Sequence, residues 1–256
     1  MDSDERDLVA GQFGVAPQQV ERDHLISHLL AFLSQRFGDR ILFIGGTALA
    51  RTYLPAGRLS EDIDLIAIGE RSALAAELDG ALPRAVARTH GRLTVEPTRS
   101  GIADTAPALV SSSDGMSVRI QLLSARDRVL WPSERRVLVQ RYSDAPPAEL
   151  VVPTLPAFAA SKTTTWADRR APRDLWDLWA LSRIGAIDDS AAKLYRRFGP
   201  TNRPPGLHLF ERPPSEAEWK SQLAGQTRLT TGASEALDEV RDAWAGVVKP
   251  HDDHDG

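Results

Sequence analysis

The sequence predicts an α+β fold: a mixed β-sheet core with helices on one side, followed by a mainly helical C-terminal lobe. Two patterns predict it. Short apolar runs typical of buried strands alternate with helix-forming stretches in the first half, whereas helix-forming stretches dominate the second half. The change comes near Pro146-Pro147, so we expect a core domain at residues 1–145 and a helical lobe at residues 146–256.

The first half begins with an amphipathic helix, because residues 17–37 place most of their apolar side chains on one stripe. The apolar run at 40–44 predicts a strand, and residues 46–54 predict a helix that ends near Pro55. A second apolar run at 62–68 predicts the next strand.

The remainder of the core continues the alternation of helix and strand. Residues 70–89 are rich in Ala, Leu and Arg and predict a helix that ends or kinks at Pro83, because proline cannot continue the helical hydrogen bonds. Three short strands are then expected, at residues 92–96, 107–111 and 117–123. These strands complete the mixed sheet.

The second half predicts one strand and then helices. Residues 150–152 are apolar and flanked by prolines, so we expect an edge strand there. A helix is expected to start after Thr154 and to run through Lys162 towards Trp166, and another is expected at 173–184.

The composition is that of an ordinary globular protein, with 42% hydrophobic and 26% charged residues. No cysteine is present, which excludes disulfides, zinc–thiolate sites and cysteine nucleophiles. The N-terminus is acidic and polar, unlike a signal peptide, and no apolar run approaches the roughly 20 residues needed to span a bilayer. We therefore expect a cytoplasmic protein without a membrane partner.

The net charge of −4 argues against a generally basic nucleic-acid-binding protein, but the charge is unevenly distributed. Residues 119–173 contain ten Lys or Arg and five Asp or Glu. A local positive patch is sufficient to bind a phosphate backbone. This segment is a candidate RNA-binding region, although a solvated face that offsets acids elsewhere explains any single arginine equally well.

The segment from 41 to 65 is the most informative about function. A strand ends in Gly45-Gly46-Thr47, a helix follows, and the next strand carries Asp62 and Asp64. Side chains at i and i+2 of a strand leave from one face, so both carboxylates can reach one hard cation such as Mg²⁺. The glycines allow backbone N–H groups to approach a phosphate at the positive end of the following helix.

Simpler interpretations exist for each part of this segment. A Gly-Gly pair at a strand end is usually a tight turn, and Ser60 and Glu61 fit an ordinary helix cap. However, two acids in an otherwise apolar strand cost free energy unless a positive group compensates them. The pattern as a whole therefore favours a site for a metal and a nucleoside triphosphate (NTP).

These residues carry a resemblance to a known family. Four segments resemble the motifs of AbiEii-type (MenT-like) nucleotidyltransferase toxins. They are GGTALA at 45–50, Arg58-Leu59-Ser60-Glu61-Asp62-Ile63-Asp64, Lys162, and Arg173-Asp174-Leu175-Trp176-Asp177-Leu178. Those toxins belong to the DNA polymerase β-like nucleotidyltransferase superfamily. The resemblance covers roughly residues 20–185 and implies a nucleotidyltransferase-like sheet core.

The resemblance implies a role for each matching residue. Asp62 and Asp64 would bind the catalytic metal, Mg²⁺ or Mn²⁺. Lys162, in the C-terminal lobe, would neutralise the triphosphate and the leaving pyrophosphate, and Asp174 would orient Lys162 or accept the proton of the attacking hydroxyl. The residues expected to bind the nucleotide are Gly45, Gly46, Thr47, Arg58 and Ser60. Those expected to contact acceptor phosphates are Arg169, Arg170 and Arg173.

Some positions depart from the pattern or have simpler explanations. The superfamily usually supplies a third carboxylate from a later strand, but the best-placed position here is Gln121, and Glu96 is an alternative. Without the resemblance, Lys162 is more typical of a helix surface and Asp174 of a helix cap. Three histidines show no metal-ligand spacing and receive no role: His24, His28 and His90.

The resemblance implies a metal-dependent toxin of a bacterial toxin–antitoxin system. It would transfer NMP from an NTP to an RNA acceptor, most plausibly the tRNA 3′ end, and so block translation. An antitoxin encoded nearby would be its partner. Two alternatives remain open: a small-molecule nucleotidyltransferase of the aminoglycoside-modifying type, and a non-catalytic nucleotide- or RNA-binding protein.

Overall fold

The structure is a computed structural model that describes residues 1–126 and 128–248. The chain divides into two compact units. The first, called the sheet unit below, comprises Met1–Pro153 with Gly225–Arg228. The second, called the helical unit, comprises Thr154–Ala224 and the chain from Leu229 onward.

In the described part of the chain, seven strands form one mixed sheet in the sheet unit, which confirms the predicted α+β fold. The strands are β1 (Ile41–Ile44), β2 (Asp62–Ala67), β3 (Thr94–Glu96), β4 (Ala108–Ser111), β5 (Ser117–Ser124), β6 (Ser133–Val137) and β7 (Glu149–Pro153). Their order across the sheet is β3-β4-β5-β2-β1-β7-β6. Strand β2 runs parallel to β5, and β1 runs parallel to β7, whereas the other neighbouring pairs are antiparallel.

The helices of the sheet unit, apart from the first one, lie within or close to the segments where helices were expected. They are α1 (Ser3–Phe13), α2 (Pro17–Phe37), α3 (Gly45–Thr52), α4 (Arg71–Ala81) and α5 (Ala87–His90). Helix α2 has the predicted bounds and begins with proline, which is pre-organised for the first helical turn. Helix α4 ends at Ala81, just before Pro83, which lies in a single 3₁₀ turn.

The prediction of an edge strand at residues 150–152 is wrong in its position within the sheet. Strand β7 lies between β1 and β6, so it is hydrogen-bonded on both sides. Its proline, Pro153, is the last residue of the strand, where a missing N–H disturbs the ladder least. The edge is formed by β6, which the sequence pattern missed because all five of its residues are exposed and show no apolar alternation.

Helix α1 was also absent from the prediction. It buries only Val9 and Phe13, which pack against Val20, Leu59 and Tyr142, whereas its other apolar residue of comparable size, Leu8, is exposed. Two buried residues in eleven give little helical periodicity in the sequence. Its N-cap is Asp2, whose side chain accepts a hydrogen bond from the Glu5 N–H at 2.8 Å.

The helical unit contains α6 (Leu155–Arg169), α7 (Pro172–Arg183), α8 (Asp189–Phe198), α9 (Glu216–Leu223) and α10 (Ala233–Val247). Its core includes three fully buried tryptophans: Trp166, Trp219 and Trp244. The indole N–H of Trp166 donates to the carbonyl of Leu209 at 2.8 Å, so this polar group has a hydrogen-bond partner although the ring is buried. Across residues 1–126 and 128–248, no helix is long and apolar enough to cross a bilayer.

Candidate active site

The two aspartates of β2 leave from the same face of the sheet. Asp62 and Asp64 are partly exposed, whereas Ile63 and Leu65 between and after them are completely buried on the other face. The apolar residues account for the burial of the strand, and the acids face away from that core. The geometry therefore places two carboxylates side by side where a cation can reach them.

The glycine turn lies against this pair. Gly45 is the first residue of α3 and has a φ of 81°, a conformation that strongly favours glycine. A β-carbon at this position would collide with the Oδ2 atom of Asp64. The hydroxyl of Thr47 donates a hydrogen bond to the backbone carbonyl of Asp62. The start of α3 is thus tied to the strand that carries the acids.

The side chains of Arg58 and Ser60 lie next to Gly46 in this turn. A β-carbon on Gly46 would lie 2.5 Å from Nη2 of Arg58 and 3.4 Å from Oγ of Ser60. Arg58 is buried, and its Nη1 donates to Oε1 of Gln226 at 2.7 Å. The structure therefore brings together all five residues that the sequence assigned to nucleotide binding, next to both aspartates.

An arginine that the sequence analysis did not single out is paired with Asp62. Nε of Arg119 lies 2.8 Å from Oδ1 of Asp62, and Nη2 lies 3.4 Å from Oδ2. This hydrogen bond raises the pKa of Arg119. The pair lines a cavity of about 320 Å³ with Arg22, Glu61, Leu109 and Ser117. Only the register of β2 and β5, which places Asp62 beside Arg119, reveals this pair.

The position of the usual third carboxylate is occupied by an amide. Gln121 is the register partner of Asp64, and its side-chain amide donates to the carbonyl of Thr105. Glu96 lies on β3, with β4 and β5 between it and β2. Three strand spacings of about 4.8 Å separate Glu96 from Asp62 by about 14 Å, too far to share a metal ion.

The residues present fit a hard divalent cation with two carboxylate ligands. Asp62 and Asp64 supply oxygen atoms, which Mg²⁺ and Mn²⁺ prefer. The missing side chain of Gly45 makes room for the Asp64 carboxylate itself, because a β-carbon there would collide with Oδ2. Substrate phosphates can complete the coordination of such an ion.

In the helical unit, Lys162 and Asp174 form part of a buried ionic network. Nζ of Lys162 lies 3.2 Å from Oδ1 of Asp174 and 2.6 Å from Oδ2 of Asp177. The guanidinium of Arg169 makes a bidentate interaction with Asp174: Nε donates to Oδ2 at 2.6 Å, and Nη2 donates to Oδ1 at 2.9 Å. Asp177 belongs to the sequence motif, but the pattern alone did not assign it this contact.

Burial distinguishes these residues from their simpler interpretations. Lys162 is 8% exposed and therefore is not a surface lysine, and Asp174 is completely buried. The N-cap of α7 is Ala171, so Asp174 is not the capping residue. Burial alone would raise the pKa of Asp174, but Lys162 and Arg169 outweigh it and hold that pKa below its ordinary value.

The predicted acceptor-binding arginines lie in different environments. Arg169 and Arg170 line a cavity of about 650 Å³ in the helical unit, and Arg173 is partly buried beside the cavity-lining Pro172. The guanidinium of Arg170 stacks 5.2 Å from the Trp166 ring centroid. The other residues of the lining are His208, Glu211, Arg212, Pro213, Pro214 and Glu218.

The three histidines without an assigned role meet in the sheet unit, which corrects the sequence analysis. His24, His28 and His90 are buried with their rings in contact, and the carboxylate of Asp144 joins them. Burial, followed by the charges of His24 and His28, lowers the pKa of His90 to about 4. The spacing of His24 and His28, one helical turn apart, was the signal available in the sequence.

The chain is similar to known proteins both in sequence and in fold. Residues 29–251 match the family model described as nucleotidyl transferase AbiEii toxin, type IV toxin–antitoxin system. Among solved structures, the nucleotidyltransferase toxin MenT4 from Mycobacterium tuberculosis is similar with a TM-score of 0.69 and 24% sequence identity, covering 94% of this chain and 88% of that one. This likeness supports the fold. No curated protein sequence matches the chain.

Proposed function

Because the chain belongs to the AbiEii nucleotidyl transferase toxin family of type IV toxin–antitoxin systems, we propose that it transfers NMP from an NTP to the 3′ end of tRNA. This modification would block translation. Family membership identifies the protein as a nucleotidyltransferase toxin with a nucleotide substrate and an antitoxin. The observation that carries the proposal is the meeting of the Gly45–Thr47 turn with Asp62 and Asp64.

The sheet unit would bind the triphosphate. The N–H groups at the start of α3 offer hydrogen bonds and the positive end of a helix to a phosphate, and buried Arg58 adds a full positive charge beside Gly46. Asp62 and Asp64 would hold Mg²⁺ or Mn²⁺, which when bound withdraws charge from the phosphate oxygens. Asp62 would then bind the cation and give up its ion pair with Arg119, so that Arg119 could bind a phosphate.

Lys162 would neutralise charge that develops on the leaving pyrophosphate. Asp174 and Asp177 hold its ammonium from two sides, so its position is fixed before substrate binds. A carboxylate whose pKa is held low is a poor proton acceptor. We therefore assign Asp174 a positioning role towards Lys162 and no role as a general base.

An RNA acceptor is favoured over a cationic small molecule by the cavity in the helical unit. Arg169, Arg170 and Arg212 line it with Glu211 and Glu218. Arg169 is paired with Asp174, so the guanidinium groups that the cavity offers to a phosphate are those of Arg170 and Arg212. An aminoglycoside-type acceptor carries positive charge and has no phosphate to offer these guanidinium groups. A phosphate backbone would be attracted to it.

Charge reversal in this cavity is expected to weaken tRNA binding. Arg170→Glu combined with Arg212→Glu should lower tRNA affinity by about 10-fold or more at low salt and reduce the salt dependence by roughly two ion equivalents. NTP affinity should change little. The measurement is fluorescence anisotropy with labelled tRNA at several salt concentrations. Arg169 is left intact because it pairs with buried Asp174.

A matched control is Arg183→Glu combined with Arg241→Glu, which reverses two charges elsewhere in the helical unit. Both arginines are partly exposed and form ordinary ion pairs with acidic neighbours. Equal loss of tRNA affinity in the control and in the cavity variant would contradict a specific role for the cavity.

The acceptor assignment is tested with one chemical change to the tRNA. The protein, an NTP labelled at the α-phosphate and Mg²⁺ are incubated with intact tRNA or with tRNA whose 3′-terminal diol has been oxidised by periodate. We expect label on intact tRNA and none on oxidised tRNA. Equal labelling of both would place the modification elsewhere, and labelling of an aminoglycoside in place of tRNA would support the small-molecule alternative.

A further inference from the structure

Three imidazoles and a carboxylate converge at a point that the proposed reaction does not use. His24 and His28 project from successive turns of α2, His90 is the last residue of α5, and Asp144 lies between β6 and β7. Nε2 of His24 lies 2.9 Å from Oδ1 of Asp144 and 3.2 Å from Nε2 of His28. All three histidines are at least nine-tenths buried, so solvent does not account for the cluster.

The spacing of these atoms matches a tetrahedral metal site. Nε2 of His24, Nε2 of His28 and Oδ1 of Asp144 form a triangle with edges of 3.2, 2.9 and 3.8 Å. A tetrahedral Zn²⁺ with ligands at about 2.05 Å separates any two ligand atoms by about 3.3 Å. The triangle would therefore need only small shifts, of a few tenths of an ångström, to bind the ion.

The surrounding hydrogen bonds allow a lone pair of His24 to face this triangle. The hydroxyl of Thr89 lies 3.3 Å from the Val86 carbonyl and 3.0 Å from Nδ1 of His90, so it can donate to the first and accept from the second. In that arrangement Nε2 of His90 accepts from Nδ1–H of His24, also at 3.0 Å. Nε2 of His24 then presents its lone pair to the side where the carboxylate and the second imidazole lie.

Two imidazoles and a carboxylate each offer one ligand atom here, and all these atoms lie within 4.8 Å of one another, which is the arrangement that a bound metal ion requires. The N-terminal ammonium of Met1 lies 2.5 Å from Oδ2 of Asp144, and Oδ1 faces His24. Imidazole nitrogen with one carboxylate is a ligand set that suits Zn²⁺ and its transition-metal neighbours much better than Mg²⁺.

We propose that His24, His28 and Asp144 form a Zn²⁺-class transition-metal site that is separate from the Asp62–Asp64 pair. His90 positions His24 by accepting from its Nδ1–H, as outer partners of metal-bound histidines do. His24 and Asp144 also line a cavity of about 300 Å³, together with residues that include Met1, Glu21 and Asp114. The metal joins α2 to the segment between β6 and β7, and so stabilises the sheet unit.

The test measures Zn²⁺ binding, and its readout is independent of nucleotidyl transfer. His251 and His254 lie outside the described residues and are first replaced by alanine, which removes the C-terminal tail as a competing ligand. The protein is stripped with EDTA and titrated with Zn²⁺ in a calorimeter. We expect one Zn²⁺ per chain and a rise in melting temperature. Co²⁺ should give the strong visible absorption of a tetrahedral site.

Four variants in this background decide the outcome. His24→Ala and Asp144→Asn should each abolish the Co²⁺ spectrum and the Zn²⁺-dependent rise in melting temperature. His90→Ala should weaken Zn²⁺ binding by about 10- to 100-fold, as expected for an outer partner. Asp64→Ala should bind Zn²⁺ normally, because it belongs to the other site. Asp144→Asn changes one atom type of a partly exposed residue, so it tests the ligand even if His24→Ala fails to fold.

Absence of stoichiometric Zn²⁺ binding to the stripped protein would overturn the proposal. Unchanged binding in Asp144→Asn and His90→Ala would overturn it equally. Either result leaves the nucleotidyltransferase assignment untouched, because Mg²⁺-dependent transfer is measured separately.

Discussion

Replacement of Asp64 by alanine is expected to reduce nucleotidyl transfer by roughly 10³-fold or more, while the protein remains folded. Asp62→Ala should have an effect of the same size. Each change removes one of two carboxylates that would hold the metal, and the remaining one cannot position it alone. Folding should not suffer, because both acids face away from the buried side of β2. Transfer is measured with α-labelled NTP, and folding by circular dichroism and thermal unfolding.

Glu96→Gln is the matched control for these variants. It removes a carboxylate from the same sheet, but at a position three strands from Asp62. Normal transfer by this variant is expected. Full activity in Asp62→Ala or Asp64→Ala would overturn the assignment of the site, and loss of activity in Glu96→Gln would restore Glu96 as a candidate metal ligand.

The second large effect is expected from Asp174→Asn, which should lower the free energy of unfolding by about 3 kcal/mol at pH 7. Asp174 is completely buried between Lys162 and Arg169, and removing one partner of a buried ion pair typically costs about 3–5 kcal/mol. We expect a loss at the lower end of this range, because Lys162 retains its ion pair with Asp177. The side chain of Arg169 is already more than half exposed and can be solvated. Urea unfolding measures the change.

The same variant should alter the dependence of stability on pH. The folded-state pKa of Asp174 lies below its ordinary value. Its contribution is therefore fully present above the unfolded-state pKa of about 3.9 and is lost as the pH falls through the folded-state pKa. The difference between wild type and Asp174→Asn should shrink in acid below about pH 4. A difference that stays constant into acid would show that charge is not the cause.

Asp168→Asn serves as the control for Asp174→Asn, because Asp168 is an exposed acid near the end of the same α6 that carries Lys162. Its effect on unfolding should stay within about 0.5 kcal/mol. Positioning of Lys162 by Asp174 also predicts a lower kcat with a nearly unchanged KM for NTP, which a purely structural role would not produce in the folded variant.

The strands that hold the site could be predicted because burial imposes a visible pattern. Residues 41–44 and 62–67 are apolar on their buried positions, and the glycine turn between strand and helix is encoded by adjacent residues. Strand β6 could not be predicted in this way, because no part of its charged sequence is buried. Its strand conformation comes from pairing with β7, which is a tertiary effect.

The contacts between distant residues were hidden for the same reason. Arg119 meets Asp62 only because β2 and β5 pair in parallel with a particular register. His24 and Asp144 are 120 positions apart in the chain and meet through the packing of α2. Sequence spacing detects neighbours on one strand or one helix, so it identified the Asp62–Asp64 pair and missed both of these.

We propose above all that the site around Asp62 and Asp64 transfers a nucleotidyl group. The most direct measurement compares two NTP samples, one labelled at the α-phosphate and one at the γ-phosphate, incubated with the protein, Mg²⁺ and tRNA. We predict that only the α label enters tRNA and that the γ label is released as pyrophosphate. Asp64→Ala should neither label tRNA nor release pyrophosphate. Transfer of the γ label to RNA or protein, or α transfer that survives in Asp64→Ala, would contradict the account.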